Sequence, residues 1–203
     1  MATEPGSGRL GFAEGTFPEG THICQIFSDD QERDAALTAF LLAGLEDGER
    51  VACFSDKVDA LALKDTLKRS DMDLDALQAA GRLSVAGVRD VYFADGRFDP
   101  DRMLEMLTRF HEESRRTRQA SRVIGEMSPE VCSIPGGDRL MEYECRVSLL
   151  LQEKPLTAVC QYEAGAFDGA TIMDVLKVHP MMVVRGRVVR NPFFISPTEY
   201  LSR

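Results

Sequence analysis

The sequence predicts an α/β domain: a mostly parallel sheet with helices on both faces. Short apolar runs rich in β-branched residues alternate with longer segments of helical periodicity from Thr21 to Val178. Such alternation builds parallel strands joined by crossover helices. At 203 residues with 44% hydrophobic content, the chain is long enough to fill one sizeable core. Thr21 to Ser55 also has the strand, loop, helix, strand order that often makes a phosphate site.

The first strand is Thr21 to Phe27. Ala35, Ala36, Ala39, Phe40, Leu42 and Ala43 then carry a helix that stops near Gly44 to Gly48, before a second strand, Arg50 to Phe54. Asp56 is placed to cap a helix over Lys57 to Arg69, and Asp73 to Ala80 forms a short helix ahead of the strand Arg82 to Ala86. Tyr92 to Phe98 reads as an aromatic strand end and turn. Asp99-Pro100 is a strong helix start, a cap followed by proline at the first helical position, and the helix is expected to reach about Gln119. Val123 to Met127 is a buried-type strand, Leu140 to Leu151 a helix, Thr157 to Tyr162 a strand and Thr171 to Val178 the last helix of the alternating series. Met181 to Val184, Arg185-Gly186-Arg187 and Val188 to Arg190 read as a hairpin. Residues 1–19 are expected to be a flexible leader, 20–197 one domain and 198–203 a tail. Ligands are expected near the carboxyl ends of the strands.

The phosphate site itself is missing. A P-loop needs glycines whose N–H groups wrap the phosphates, a lysine, and a hydroxyl for magnesium. The corresponding run is Ser28-Asp29-Asp30-Gln31-Glu32-Arg33, with neither glycine nor lysine. Its carboxylates would repel a triphosphate, whereas Asp29 or Asp30 suits a helix N-cap. No ATP is expected to bind.

Composition narrows the partners. A formal charge of −9 disfavours direct binding to nucleic acid or to an anionic membrane. Arg115, Arg116, Arg118 and Arg122 form the densest basic group and read as solvated residues near a helix end. The 5 cysteines, an odd number mostly inside apolar patterns, argue for a reducing, cytoplasmic setting. No apolar run approaches the roughly 20 residues of a membrane span.

Thr21-His22-Ile23-Cys24, Phe40 to Glu49, Asp95-Gly96-Arg97-Phe98-Asp99, Gly125-Glu126-Met127-Ser128, Glu142-Tyr143-Glu144, Cys160-Gln161-Tyr162, His179-Pro180 and Asn191-Pro192-Phe193 occur in this order over nearly the whole chain. Together they resemble the MEDS family, a sensory domain named for methanogens, methylotrophs and a dichloromethane-responsive regulator. Phe40 to Glu49 is also similar to the helix end and turn of RecA-like ATPases of the circadian-clock type. The resemblance implies a three-layer RecA-like fold with a degenerate P-loop. It further implies sensing of small hydrocarbon derivatives, in proteins that often join this domain to a DNA-binding or histidine-kinase module. Neither output module is visible in this sequence: either the domain acts through a partner, expected to be a kinase, an anti-sigma factor or a DNA-binding regulator, or the sequence is a piece of a longer protein. RecA-like relatives commonly assemble, so a homo-oligomer is also expected.

Several residues are candidates for chemistry. Strand alternation puts His22 and Cys24 on one face of the first strand, and Cys160 and Tyr162 on one face of a later strand. If those faces coincide, His22, Cys24 and Cys160 form a soft site suited to zinc or another thiophilic metal, with Glu126 or Glu144 as an oxygen ligand. The competing reading is buried structural cysteines. Glu126 interrupts an apolar strand, where a carboxylate is costly unless paired, hydrogen-bonded or protonated. It falls where an ATPase places its acidic residue, and it is expected either to bond His22, Tyr162 or a ligand, or to point off the strand end to solvent. Family resemblance favours Glu144, with Tyr143, as lining the site. His179 precedes a proline at a helix-to-strand junction and is a further candidate, against the plain reading of a satisfied loop histidine. His111 matches no pattern.

The leading expectation is a non-enzymatic sensory domain, receiving a small molecule or a redox or metal signal in transcriptional or two-component signalling. The alternative is a cysteine- or metal-dependent enzyme, with Cys24 beside His22 as an activated nucleophile. A third reading is a degenerate ATPase-like interaction module.

Overall fold

The computed structural model describes residues 6–202. Two short strands, β1 (Ser7–Gly8) and β2 (Phe17–Pro18), pair antiparallel. The main sheet contains β3 (His22–Phe27), β4 (Arg50–Phe54), β5 (Leu83–Ala86), β6 (Ser121–Met127), β7 (Leu156–Glu163), β8 (Met181–Val184) and β9 (Arg187–Arg190). Their order is β5-β4-β6-β7-β3-β8-β9, parallel throughout except for the β8–β9 hairpin. The helices are α1 (Asp30–Glu46), α2 (Ala60–Arg69), α3 (Leu74–Ala79), α4 (Val88–Val91), α5 (Pro100–Arg116), α6 (Leu140–Glu153), α7 (Gly169–Val178) and α8 (Pro197–Leu201).

The sheet separates two apolar cores. Ile23, Val51, Cys53, Ile124 and Val159 face α1, α2 and α3, meeting Leu37, Phe40, Leu41, Leu63 and Leu67. The alternate residues Cys24, Ala52, Val123, Ala158 and Tyr162 face the other layer, meeting Met103, Leu107, Tyr143, Val147 and Val175 of α5, α6 and α7. Phe40, fully buried, is worth about 2–3 kcal/mol of burial by itself. Side-chain caps start the helices where the sequence places them: Asp29, Asp73 and Asp99 accept from N–H groups of the first turns of α1, α3 and α5.

Five expectations are corrected. The described part of the leader is packed rather than loose, because Leu10 is buried and Arg9 reaches Asp47 at 2.6 Å. Residues 1–5 lie outside the described residues, as does Arg203. The expected tail is largely α8, capped by Ser196. Asp59, not Asp56, caps α2, and Asp56 instead accepts from the Val88 N–H at 2.8 Å. No strand forms over Tyr92 to Phe98. Arg102 donates to the carbonyls of Val91, Tyr92 and Ala94 at 3.2–3.3 Å, occupying acceptors that a strand would pair, and Asp95 and Gly96 turn the chain at φ 62° and 69°. α5 ends at Arg116, three residues before Gln119, with Arg118 left-handed at φ 58° just beyond.

Arg122 is also not the solvated cation expected. It lies on β6 with 2% exposure, grips Glu49 through Nε and Nη2, donates from Nη1 to the Phe40 carbonyl at 3.1 Å, and lies over the Phe40 ring. Gly44 makes the room, since a Cβ there would stand 2.6 Å from the Arg122 side chain.

Candidate functional site

Register decides which candidates meet. β3 and β7 pair so that Cys24 lies beside Cys160 and Ile26 beside Tyr162, so the two expected faces coincide. His22, at the start of β3, shares that face. α6 crosses above it and, one turn apart, lowers Glu144 and Ser148 onto the sheet. The corner between α7 and β8 supplies His179, held by Asn191, whose Nδ2 donates to the carbonyls of Leu176 and His179 at 2.5 and 2.8 Å.

The donor atoms of His22, Glu144, Cys160 and His179 all lie within 4.8 Å of one another. Nε2 of His22 and Nε2 of His179 each stand 3.4 Å from Glu144 Oε2. Cys160 Sγ is 3.5 Å from His22 Nε2 and 3.6 Å from Glu144 Oε2. Tyr162 donates its hydroxyl to Glu144 Oε1 in a short bond. The imidazoles lie with centroids 4.3 Å apart. His22, Glu144 and His179 are buried, whereas Cys160 keeps part of its surface.

The outer nitrogens are committed elsewhere. His179 Nδ1 lies 2.8 Å from the Val175 carbonyl, an acceptor only, so Nδ1 carries a proton. His22 Nδ1 lies 2.8 Å from Ser148 Oγ, whose one hydrogen is donated to the Val178 carbonyl at 3.3 Å, so Ser148 accepts from His22. In their neutral forms both rings therefore aim an Nε2 lone pair at the Glu144 carboxylate. His179 Nε2 is buried with no hydrogen-bond partner.

The electrostatics follow from burial. Burial works against the Glu144 charge, but His179 and His22, when protonated, outweigh it and hold its carboxyl well below the usual range. Burial and then His179 push His22 down to about 4, against the pull of Glu144. Burial, with Glu144 adding to it, raises the thiols of Cys160 and of Cys24, the latter to about 12. Both are protonated thiols rather than thiolates in this environment.

The remaining candidates divide. Cys24 lies beside Cys160 but is not one of the four converging donors, so the expected trio of His22, Cys24 and Cys160 is replaced by His22, Cys160, Glu144 and His179. Tyr143 is buried next to the cluster, its ring edge-on to Phe98 at 5.5 Å. Glu126 belongs elsewhere: it pairs in register with Gln161, one residue out of phase with Cys160, and so projects from the opposite face. It accepts from Ser55 Oγ at 2.8 Å and pairs with Lys57 at 2.9 Å and Arg33 at 3.5 Å, bonding neither His22 nor Tyr162 and not pointing to solvent. These groups occupy the carboxyl ends of the strands, where ligands were expected. The converging donors instead lie within the layer under α6 and α7.

Two residues of the site escaped the sequence reading. Ser148 was legible only through its spacing of four from Glu144. Tyr92 sits over Gly125, where a Cβ would collide with its hydroxyl, and nothing in its local sequence foretold that.

The fold and this buried polar site define a RecA-like α/β domain without a P-loop. The model of the MEDS family, "MEthanogen/methylotroph, DcmR Sensory domain", matches residues 21–180, and the chain belongs to that sensory family. Similar solved structures include a KaiC-like protein from the hyperthermophilic archaeon Pyrococcus horikoshii OT3, at 16% identity and TM-score 0.61, covering 88% of this chain and 79% of that one. The flagellar accessory protein FlaH from Methanocaldococcus jannaschii is similar at 12% identity and TM-score 0.59, covering 84% and 76%. These likenesses are of fold. No curated protein matches the chain. Among the described residues no helix is long and apolar enough to cross a membrane.

Proposed function

We propose that this domain is a non-enzymatic sensor that receives its signal, a small hydrocarbon derivative or a redox or metal signal, at the cluster of His22, Glu144, Cys160, Tyr162 and His179, with Cys24 and Tyr143 beside it. The signal passes to a partner in transcriptional or two-component signalling. The observation that carries the reading is the convergence of polar donors from four separate elements into a core where such groups are costly, with His179 Nε2 unpartnered. A structural core has no need of it. A ligand there touches β3, α6, β7 and the α7–β8 corner together, and it shifts a conformational equilibrium only by binding two arrangements unequally. Cys160, the donor with accessible surface, is the point of approach.

The thiols argue against an enzyme. Burial keeps Cys24 and Cys160 protonated, and neither neighbours a glycine loop that could stabilise an oxyanion. The test is thermal shift and hydrogen exchange of the purified chain with a panel of one- to three-carbon alcohols, amines, thiols and halides. A saturable response from at least one compound, protecting β3, α6 and β7 and lost in Tyr162→Phe or Cys160→Ser, is expected. A panel without any response, or one whose response is unchanged in both variants, overturns the reading of the cluster as a small-molecule receptor.

A further inference from the structure

We infer that His22 Nε2, His179 Nε2, Glu144 Oε2 and Cys160 Sγ bind one divalent cation of the zinc class in a four-coordinate site. This deepens the sensory reading and rests on it for its consequence in signalling, while the site itself stands on geometry. A tetrahedral zinc ion with bonds of about 2.0–2.1 Å to nitrogen and oxygen and about 2.3 Å to sulfur spaces N and O about 3.3–3.4 Å apart, and S about 3.5–3.6 Å from either. Four of the six donor–donor separations are 3.4, 3.4, 3.5 and 3.6 Å, and all six lie within 4.8 Å.

The protons agree with the spacing. In the neutral rings, with Nδ1 of His179 donating to Val175 and Nδ1 of His22 donating to Ser148, both Nε2 atoms present lone pairs towards one carboxylate oxygen. Three lone pairs then converge with a single weak donor, the Cys160 thiol, to share among them. A cation at their centre removes that repulsion and gives His179 Nε2 its missing partner. Both Nδ1 contacts, to a backbone carbonyl and to a hydroxyl, are the supports that fix the tautomer and ring angle of a ligating histidine, and Tyr162 supports the free oxygen of Glu144 in the same way.

Charge also balances. Binding displaces the Cys160 proton to solvent as the metal–sulfur bond forms, so a divalent ion, one thiolate and one carboxylate sum to zero in a buried site. Two imidazoles with one thiolate and one carboxylate suit zinc, or cobalt(II) as its spectroscopic substitute, better than magnesium or calcium, which prefer all-oxygen shells.

The test uses the full chain, stripped with a strong chelator and titrated with cobalt(II) and with zinc. Expected are one cobalt per chain by elemental analysis, intense visible d–d bands of tetrahedral cobalt, and a near-ultraviolet thiolate charge-transfer band. Zinc should displace both. Cys160→Ser should lose the charge-transfer band, and His179→Ala the stoichiometric binding. Ser148→Ala, which leaves all four donors in place, should weaken zinc by about 10–100-fold. A folded chain that takes up no cobalt, or one whose cobalt spectrum is octahedral or unchanged in Cys160→Ser, overturns the inference. Circular dichroism of each sample confirms folding, so that a variant that fails to fold is replaced by its conservative counterpart, His179→Gln. The metal-free chain is also run against the small-molecule panel. A response there without any cobalt binding sinks the metal and spares the small-molecule sensor, whereas a tetrahedral cobalt site in a chain that answers no compound keeps the metal and removes the small-molecule signal.

Discussion

His179 Nε2 stands 3.4 Å from Glu144 Oε2, while the proton on the far side of the ring is tied to Val175 at 2.8 Å. In the neutral ring, two lone pairs face each other between two buried side chains. The arrangement is locally unfavourable unless a cation or proton lies between them.

This gives an ordered prediction for the metal-stripped protein. Glu144→Gln places an amide N–H opposite one Nε2 and should leave stability equal to wild type or higher. Glu144→Ala removes the acceptor of Tyr162 and leaves that buried hydroxyl unpaired, so it should lose about 1–3 kcal/mol. Urea denaturation of the three proteins decides it, and equal losses in both variants would falsify the lone-pair description.

On the opposite face, Arg122 and Glu49 are fastened in a bidentate pair beneath Gly8 of the leader. Glu49→Ala strands a guanidinium with 2% exposure, and a loss of about 3–5 kcal/mol is expected in chemical denaturation. Gly44→Ala pushes a Cβ onto the same side chain and should lose about 1–3 kcal/mol. A loss below about 0.5 kcal/mol in both would mean that Arg122 is solvated after all.

The contrast between these two pairs explains what the sequence could and could not reveal. The sheet and the principal helices were legible because apolar period and caps are local: Asp99-Pro100 starts α5, and Arg185-Gly186, both with positive φ, turns the hairpin. His22 with Cys24, and Cys160 with Tyr162, could be put on common faces by alternation alone. Which faces meet depends on inter-strand register, and a shift of one residue sends Glu126 to the far side from Cys160. Arg122 read as solvent-exposed because its partner Glu49 is 73 residues away. Tyr92 was misplaced because a distant arginine, Arg102, satisfies the carbonyls around it.

His111 shows the same limit and carries a pH prediction. It is buried on the inner side of α5, with Nδ1 unpartnered. Burial, then Lys154 and Arg115, lower its pKa from 6.5, with Glu112 opposing. The unfolded chain therefore takes up the proton first as pH falls. The stability contributed by neutral His111 should be intact above about pH 6.5, decline below it, and level off once the folded form is protonated too. His111→Gln should flatten that part of the stability–pH curve measured by urea denaturation. A curve of the same slope in the variant would remove His111 as the cause.

The last prediction concerns the place where a nucleotide would sit. Lys57 pairs with Glu126 at 2.9 Å and Glu163 at 3.0 Å, and Arg33 with Asp34 at 2.5 Å, Asp30 at 3.2 Å and Glu126 at 3.5 Å. The cations that a phosphate would need are thus already neutralised by carboxylates of the fold, and no glycine-lined loop presents N–H groups. A triphosphate would have to break these pairs and face the freed carboxylates. Magnesium-ATP at millimolar concentration should produce neither a saturable calorimetric signal nor a thermal shift. Glu126→Ala should not create binding either, because Arg33, at 3% exposure, would be left buried without one of its partners. Its expected effect is a loss of about 1–3 kcal/mol of stability. Saturable ATP binding by the wild-type chain would show instead that the pairs open readily, and that the carboxyl ends of the strands retain a nucleotide site.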